Sequence, residues 1–171
     1  MDEKQIDRLL VKISYGDNAA FEELYNGTKR GVFSFIYSYL RHYENTEDAM
    51  QTVYLKVKQN IGQYVHGTNG RAWLLQIAKN QAINELNKNK RIEFNDDIVV
   101  AADPISDECG VMSAMAKVLT EEEQRIVLLH VLWGYRHREI ADALDCPTGT
   151  VTSKYKRSIA KLKQALKEER S

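Results

Sequence analysis

The sequence predicts an all-α protein of two small helical domains joined by a flexible acidic linker. Three observations predict it. Apolar residues recur at helical spacing in successive segments, and no useful stretch alternates with the two-residue period of a strand. Breakers are few, with two prolines and nine glycines in 171 residues. One internal segment, about 93–107, loses its helical pattern and gathers acidic residues, which sets the expected boundaries at 1–92, 93–107 and 108–171.

In chain order, Ile6, Leu9, Leu10 and Ile13 share one face of a first short helix, ended by Tyr15-Gly16-Asp17. Asp17 is a good N-cap for a longer helix through Phe21, Leu24, Tyr25, Val32, Phe35, Ile36, Tyr39 and Leu40. Gly27 and Gly31 are expected to weaken its middle. Thr46 is the expected cap of a third helix, with Glu47 and Asp48 in its first turn and a stripe of Met50, Val53, Tyr54, Val57 and Ile61. After a polar loop at 63–70, a fourth helix carries a core face of Ala72, Trp73, Leu74, Ile77, Ala78, Ile83 and Leu86. Trp73, Tyr25, Tyr54 and Tyr64 read first as core or half-buried rings.

Asp96-Asp97 and Asp103-Pro104 mark the linker. Beyond it comes a short helix at 111–119. Thr120 and Glu123 then form a capping box for a helix carrying Ile126, Val127, Leu129, Val131 and Leu132, which Gly134 is expected to end. A short helix at 139–144, a turn at Asp145-Cys146-Pro147 and a final helix at 148–167 complete the chain.

The net charge is zero, but its distribution is uneven. Acid concentrates between Asp96 and Glu123. Base concentrates at Lys154, Lys156, Arg157, Lys161, Lys163 and Lys167, with a weaker cluster at Lys79, Lys88, Lys90 and Arg91. No apolar run is long enough to cross a bilayer, and the opening Met1-Asp2-Glu3-Lys4 has no signal-peptide core. The expectation is a cytoplasmic protein without membrane insertion. Cys109 and Cys146 are isolated, and with His42, His66, His130 and His137 they show no paired metal-ligand spacing. No phosphate-cradling glycine loop is present. The expectation is therefore no cofactor, no metal, no catalytic residue and no enzymatic activity.

The strongest local signal runs from Arg138 to Val151. A short helix with Ile140, Ala141 and Leu144 on one face meets a tight turn, and a second helix opens with small polar residues. Ala141 is small where the two helices cross, and Val151 and Ile159 turn inward. This is a helix-turn-helix layout, whose second helix enters a major groove. Thr148, Thr150 and Ser153 can donate to phosphates, and Gly149 lets the helix N-terminus approach the duplex. Thr152, Lys156 and Arg157 can face base edges, with Lys154 beside them.

The motif Glu139-Ile140-Ala141 followed by Pro147-x-Gly149-Thr150-Val151-x-Ser153 resembles domain 4 of the extracytoplasmic-function (ECF) sigma factors of bacterial RNA polymerase. Leu119-Thr120-x-x-x-Gln124-Arg125 resembles the entry to that domain. Phe21-x-x-Leu24-Tyr25 and Glu47-Asp48-Ala49-x-Gln51-x-Val53-Tyr54 are similar to the core of domain 2. Ala72-Trp73-Leu74-x-x-Ile77-Ala78-x-Asn80-x-Ala82-Ile83-Asn84 resembles its promoter-melting segment. The two matches cover nearly the whole chain in the family's order.

The resemblance implies a promoter-specificity subunit. Domain 2 would dock on the beta-prime clamp of core RNA polymerase through Asp48, Met50, Gln51 and Tyr54. It would also capture the −10 element with the loop at 63–71 and with Arg71, Trp73, Lys79, Asn80, Asn84 and Lys88. A loop can accept an extruded base, and amides can hydrogen-bond its edge. Domain 4 would sit on the beta flap and read −35 promoter DNA through Thr148, Gly149, Thr150, Thr152, Ser153, Lys154, Lys156 and Arg157. The acidic linker would lie in the RNA exit path, and an anti-sigma factor would be a further partner. Lys58, Asn87, Arg136, Asp145 and Thr152 stand where the family more often has other residues. The alternative reading is a helix-turn-helix regulator that binds DNA without being a polymerase subunit.

Overall fold

The computed structural model describes residues 1–93 and 110–168. Among them every regular element is helical. The chain divides into two compact units, 1–103 and 104–171, a division that falls within the expected linker. From residue 94 to residue 107 that linker lies outside the described residues, as does Cys109. No helix among the described residues is long and apolar enough to cross a membrane.

The first unit packs α1 (Glu3–Ser14), α2 (Asn18–Leu40), α3 (Tyr43–Asn60) and α4 (Gly70–Glu93), with a single 3-10 turn (Ile61–Gln63) after α3. Asp2 caps α1 in a reciprocal box with Gln5, and Ile6, Leu9, Leu10 and Ile13 are buried beneath it. Asp17 caps α2 as expected, accepting the Ala20 amide at 3.0 Å. The expected weakness at Gly27 and Gly31 does not break α2. Leu24, Val32, Phe35 and Ile36 are buried around these glycines, and packing of that face supplies more than glycine's helix penalty removes.

Two local readings are corrected. α3 begins a turn before Thr46, with His42 as its N-cap. Thr46 is instead buried inside the helix, its hydroxyl donating back to the His42 carbonyl at 2.7 Å. Glu47 and Asp48 therefore sit in the second turn. On α4 the buried stripe is Leu74, Leu75, Ala78, Gln81 and Ala82. Ala72 is exposed, and Trp73, Ile77, Ile83 and Leu86 are half-buried, because α4 faces α1, α2 and α3 along a rotated stripe.

The second unit holds α5 (Gly110–Val118), α6 (Glu121–Val131), α7 (His137–Leu144) and α8 (Thr148–Glu168). The Thr120 and Glu123 box forms as expected, with amide-to-side-chain distances of 3.0 and 3.3 Å. α6 ends at Val131, earlier than Gly134. Gly134 takes the left-handed position (φ 65°) of the closing turn, in which the Tyr135 amide donates to the Leu129 carbonyl at 3.0 Å. That turn drives Trp133 and Tyr135 into the core and leaves Val131 and Leu132 exposed, contrary to their expected core role. Gln124 is fully buried and donates its amide to the Leu119 carbonyl at 2.9 Å.

Candidate nucleic-acid interface

The expected helix-turn-helix lies at the junction of α7 and α8. α7 starts at His137, two residues before the expected Glu139, and Glu139 reaches back to accept the Arg136 amide at 2.7 Å. Asp145 adopts the left-handed conformation (φ 53°) that closes α7, a position where a short polar side chain is tolerated. The Cys146 amide donates to the Ala141 carbonyl, and the Thr150 and Val151 amides donate to Pro147. Ile140, Ala141 and Val151 are buried between the helices and fix their crossing.

With that inner side locked, α8 turns one stripe outward. Thr148, Gly149, Thr152, Ser153, Lys156 and Arg157 are all exposed, and their three- and four-residue spacing puts them on one side of the helix. Thr150 is half-buried beside them. Lys154 departs from the expected DNA set. It lies on the flank toward α6, where its ammonium pairs with Glu122. Lys161 similarly binds both oxygens of buried Glu123 at 2.9 Å. Sequence reading missed a ring cluster behind the stripe: His130, His137 and Tyr155 lie with ring centres 4.6 to 5.2 Å apart. His137 Nδ1 lies 3.1 Å from the Thr152 hydroxyl, which links this cluster to the outward stripe. The helical offset of Tyr155 from Val151 was its only sequence signal.

In the first unit the expected polymerase-contact residues separate into two groups. Asp48 and Gln51 are exposed on α3, and Leu55, one turn further, exposes 59% of its surface. Met50 and Tyr54 belong to the core instead. Tyr54 donates its hydroxyl to Thr28 at 2.7 Å, because the Thr28 proton is already given to the Leu24 carbonyl. Burial pushes the Tyr54 phenol pKa well up, so it stays neutral. Lys58 places its ammonium 4.1 Å from the centre of the Phe21 ring.

The expected −10 residues are also sorted. Trp73 is half-buried against Tyr64 at the end of the 64–69 loop, with ring centres 5.3 Å apart. Arg71 faces α1 rather than solvent, lying 3.5 Å from Glu3 with its side chain 12% exposed. Lys79 is half-buried, and exposed Asn80 accepts a hydrogen bond from Gln76 at 2.9 Å. Asn84 and Lys88 line a cleft of about 530 Å³ between α3 and α4, together with Lys56, Gln81, Asn87 and Arg91. A polar chain runs along it: Lys56 donates to Gln81 at 2.6 Å, Gln81 to Glu85 at 2.9 Å, and Lys88 pairs with Glu85 at 2.9 Å. Asp7 of α1 accepts from Tyr64, and this bond, against a smaller opposing effect of burial, holds its carboxyl below the usual range. Burial and the Asp7 bond push the Tyr64 phenol up to about 12. The described residues contain no group of three or more His, Cys, Asp or Glu that could hold a metal ion.

Comparison with known proteins matches both units. The Sigma-70 region 2 family model matches residues 24–92, and the Sigma-70 region 4 model matches residues 111–162. The chain is 25% identical to the ECF RNA polymerase sigma factor SigK of Mycobacterium tuberculosis (strain ATCC 25618 / H37Rv), over 94% of this chain and 93% of that protein. It is 28% identical to the ECF RNA polymerase sigma-E factor of Haemophilus influenzae, over 90% and 92%. Two solved structures share the fold. One is RpoE in complex with the anti-sigma factor NepR from Bartonella quintana, with TM-score 0.67, 22% identity and coverage of 85% of this chain and 95% of that one. The other is CnrH in complex with the cytosolic domain of CnrY, with TM-score 0.65, 19% identity and coverage of 96% and 98%. Both family models, in order along one all-helical chain, identify this protein as a member of the extracytoplasmic-function family of RNA polymerase sigma factors.

Proposed function

We propose that the two units divide promoter recognition between them. The observation that carries this reading is the outward stripe of α8. Hydroxyls, a glycine and two cations line one side of a helix whose other side is fixed by Ile140, Ala141 and Val151. α8 enters the major groove of the −35 element. Thr148 and Ser153 position it on phosphates, and Thr152, Lys156 and Arg157 face base edges. Gly149 supports this role because the fold does not require it. Its φ is not positive, and a Cβ there would meet nothing within 4 Å. The glycine instead keeps the helix end open to a phosphate.

The first unit binds the beta-prime clamp through Asp48 and Gln51, with Leu55 as an apolar anchor. It receives the −10 element on the 64–69 loop, Trp73, Asn80, Asn84 and Lys88. The second unit also sits on the beta flap, and the acidic linker follows the RNA exit path. The chain works in the cytoplasm as a specificity subunit and catalyses nothing itself. The two solved relatives were captured with an anti-sigma factor or with a partner's cytosolic domain, which supports an anti-sigma factor as a partner here.

Reconstitution with core polymerase tests the reading. The holoenzyme should start transcription at a discrete set of promoters in a random-fragment pool. Arg157→Ala should weaken −35 recognition by roughly 1–3 kcal/mol without loss of fold, because Arg157 is exposed. Binding to promoter fragments without any association with core polymerase would favour a free-standing regulator. No initiation from any fragment would overturn the proposal.

A further inference from the structure

We infer that Asp7, on the opposite side of the first unit's sequence from the promoter-melting helix, is a positioning residue for the 64–69 loop. The inference rests on the proposed −10 role of that loop.

Three donors from the loop converge on the one carboxylate. The Tyr64 hydroxyl lies 2.5 Å from Asp7 Oδ1, the Gly67 amide 3.0 Å from the same oxygen, and His66 Nδ1 3.1 Å from Oδ2. The Asp7 side chain is 15% exposed and its bond from Tyr64 is part-buried, whereas the Gly67 and His66 contacts lie at the surface. Between the anchored residues the chain makes a tight turn. Gly67 has φ +81°, and the Thr68 amide and hydroxyl both donate to the Val65 carbonyl, at 3.2 and 2.6 Å.

An apolar contact holds the same junction. A Cβ on Gly70 would stand 2.9 Å from a Leu10 methyl, 3.0 Å from the Tyr64 hydroxyl and 3.2 Å from an Ile6 methyl. α1 is thus pressed against the start of α4 and cannot be spaced away from it. Tyr64 in turn packs against Trp73. The inner side of the loop is consumed by these contacts, while Val65, His66 and Thr68 face outward. A loop fixed from behind and open in front is preorganised to receive an extruded base, because the ordering cost is met in folding rather than in binding.

Asp7→Ala removes all three bonds at once, and Tyr64→Phe removes the Tyr64 bond to Asp7 together with that hydroxyl's 3.1 Å contact to the Thr68 carbonyl, without changing α1. Wild-type and variant holoenzymes would be compared on a promoter selected from a randomised duplex pool by the wild type. Each position of its −10 element would be varied through all four bases, on both fully duplex and pre-melted templates. Asp7→Ala should lower the preference for the correct base at one unpaired position by about tenfold, with a smaller loss in Tyr64→Phe. Association with core polymerase and helix content by circular dichroism should remain unchanged. Unaltered base preference in both variants, with the wild type selective, would overturn the positioning role alone. A wild type with no −10 preference would overturn the promoter reading of the loop, and the inference with it. If Asp7→Ala fails to fold, Tyr64→Phe decides the matter by the same measurement.

Discussion

Glu123→Ala removes the residue that ties the start of α6 to α8, and so tests how the reading helix is held. The carboxylate is 6% exposed, accepts the Thr120 amide at 3.0 Å and takes the Lys161 ammonium on both oxygens at 2.9 Å. Burial alone would raise its pKa. The Thr120 amide and then Lys161 together outweigh that effect and hold the carboxyl below its ordinary range. The cap bond contributes about 1 kcal/mol. The Lys161 side chain is 44% exposed, so screening limits the ion pair to about 0.5–1 kcal/mol. The one buried methylene that Ala lacks adds about 0.8 kcal/mol, and the expected loss is about 2.5 kcal/mol. The protein has two tryptophans, and Trp73→Phe leaves buried Trp133 as the sole indole reporter of the second unit. Urea unfolding followed by its fluorescence then gives the loss in that unit directly. The pH dependence has a definite sign. A carboxyl with a folded pKa below its unfolded one stabilises fully above the unfolded value, and the contribution disappears as pH falls through the folded value. The gap between parent and variant should therefore narrow as pH falls through and below the ordinary glutamate range. A gap under about 0.5 kcal/mol at neutral pH, or one indifferent to acid, would refute the assignment of Glu123 as an ionised brace.

Two further perturbations separate stability from function. Gly149→Ala should stabilise α8 by up to about 1 kcal/mol in thermal melts, since the methyl meets open space, yet lower promoter affinity by about tenfold by standing in the path of a phosphate; equal affinity in a salt-matched binding assay would count against that approach. Asp48→Ala combined with Gln51→Ala should weaken association with core polymerase by about 2 kcal/mol in a competition assay while leaving the unfolding midpoint unchanged, since both side chains are exposed; a shifted midpoint with intact association would reverse the reading.

The elements legible in the sequence are those set by local chemistry. The Asp17 cap and the Thr120 and Glu123 box each depend on residues within one turn, and each stands as expected. What was not legible depends on residues brought together by folding. Thr46 has the chemistry of a cap, but it lies buried one turn inside α3, whose N-cap is His42, and its hydroxyl donates back to the His42 carbonyl. Tyr54 reads as core from its spacing and as a contact residue only through the resemblance, and its hydrogen-bond partner Thr28 lies on another helix. Arg71 carries the charge of a DNA ligand, and no local pattern shows that Glu3 stands beside it. The Asp7 anchor is the extreme case, joining residues 57 and 60 positions apart.

The same distinction resolves the zero net charge. An acidic linker cancelling two basic segments is only part of the balance. Within the folded units, acids also pair with cations that lie off the outward α8 stripe: Glu122 with Lys154, Glu123 with Lys161, and Glu3 with Arg71. The α8 stripe is spared, since Lys156 and Arg157 are exposed on the side away from α6. Pairing of the inner lysines does more than neutralise them. It adds to the packing of Ile140, Ala141 and Val151 that holds α8 in place. A nucleic-acid-binding surface can arise on a neutral chain because its selectivity depends on where charge is left unpaired, not on how much charge there is.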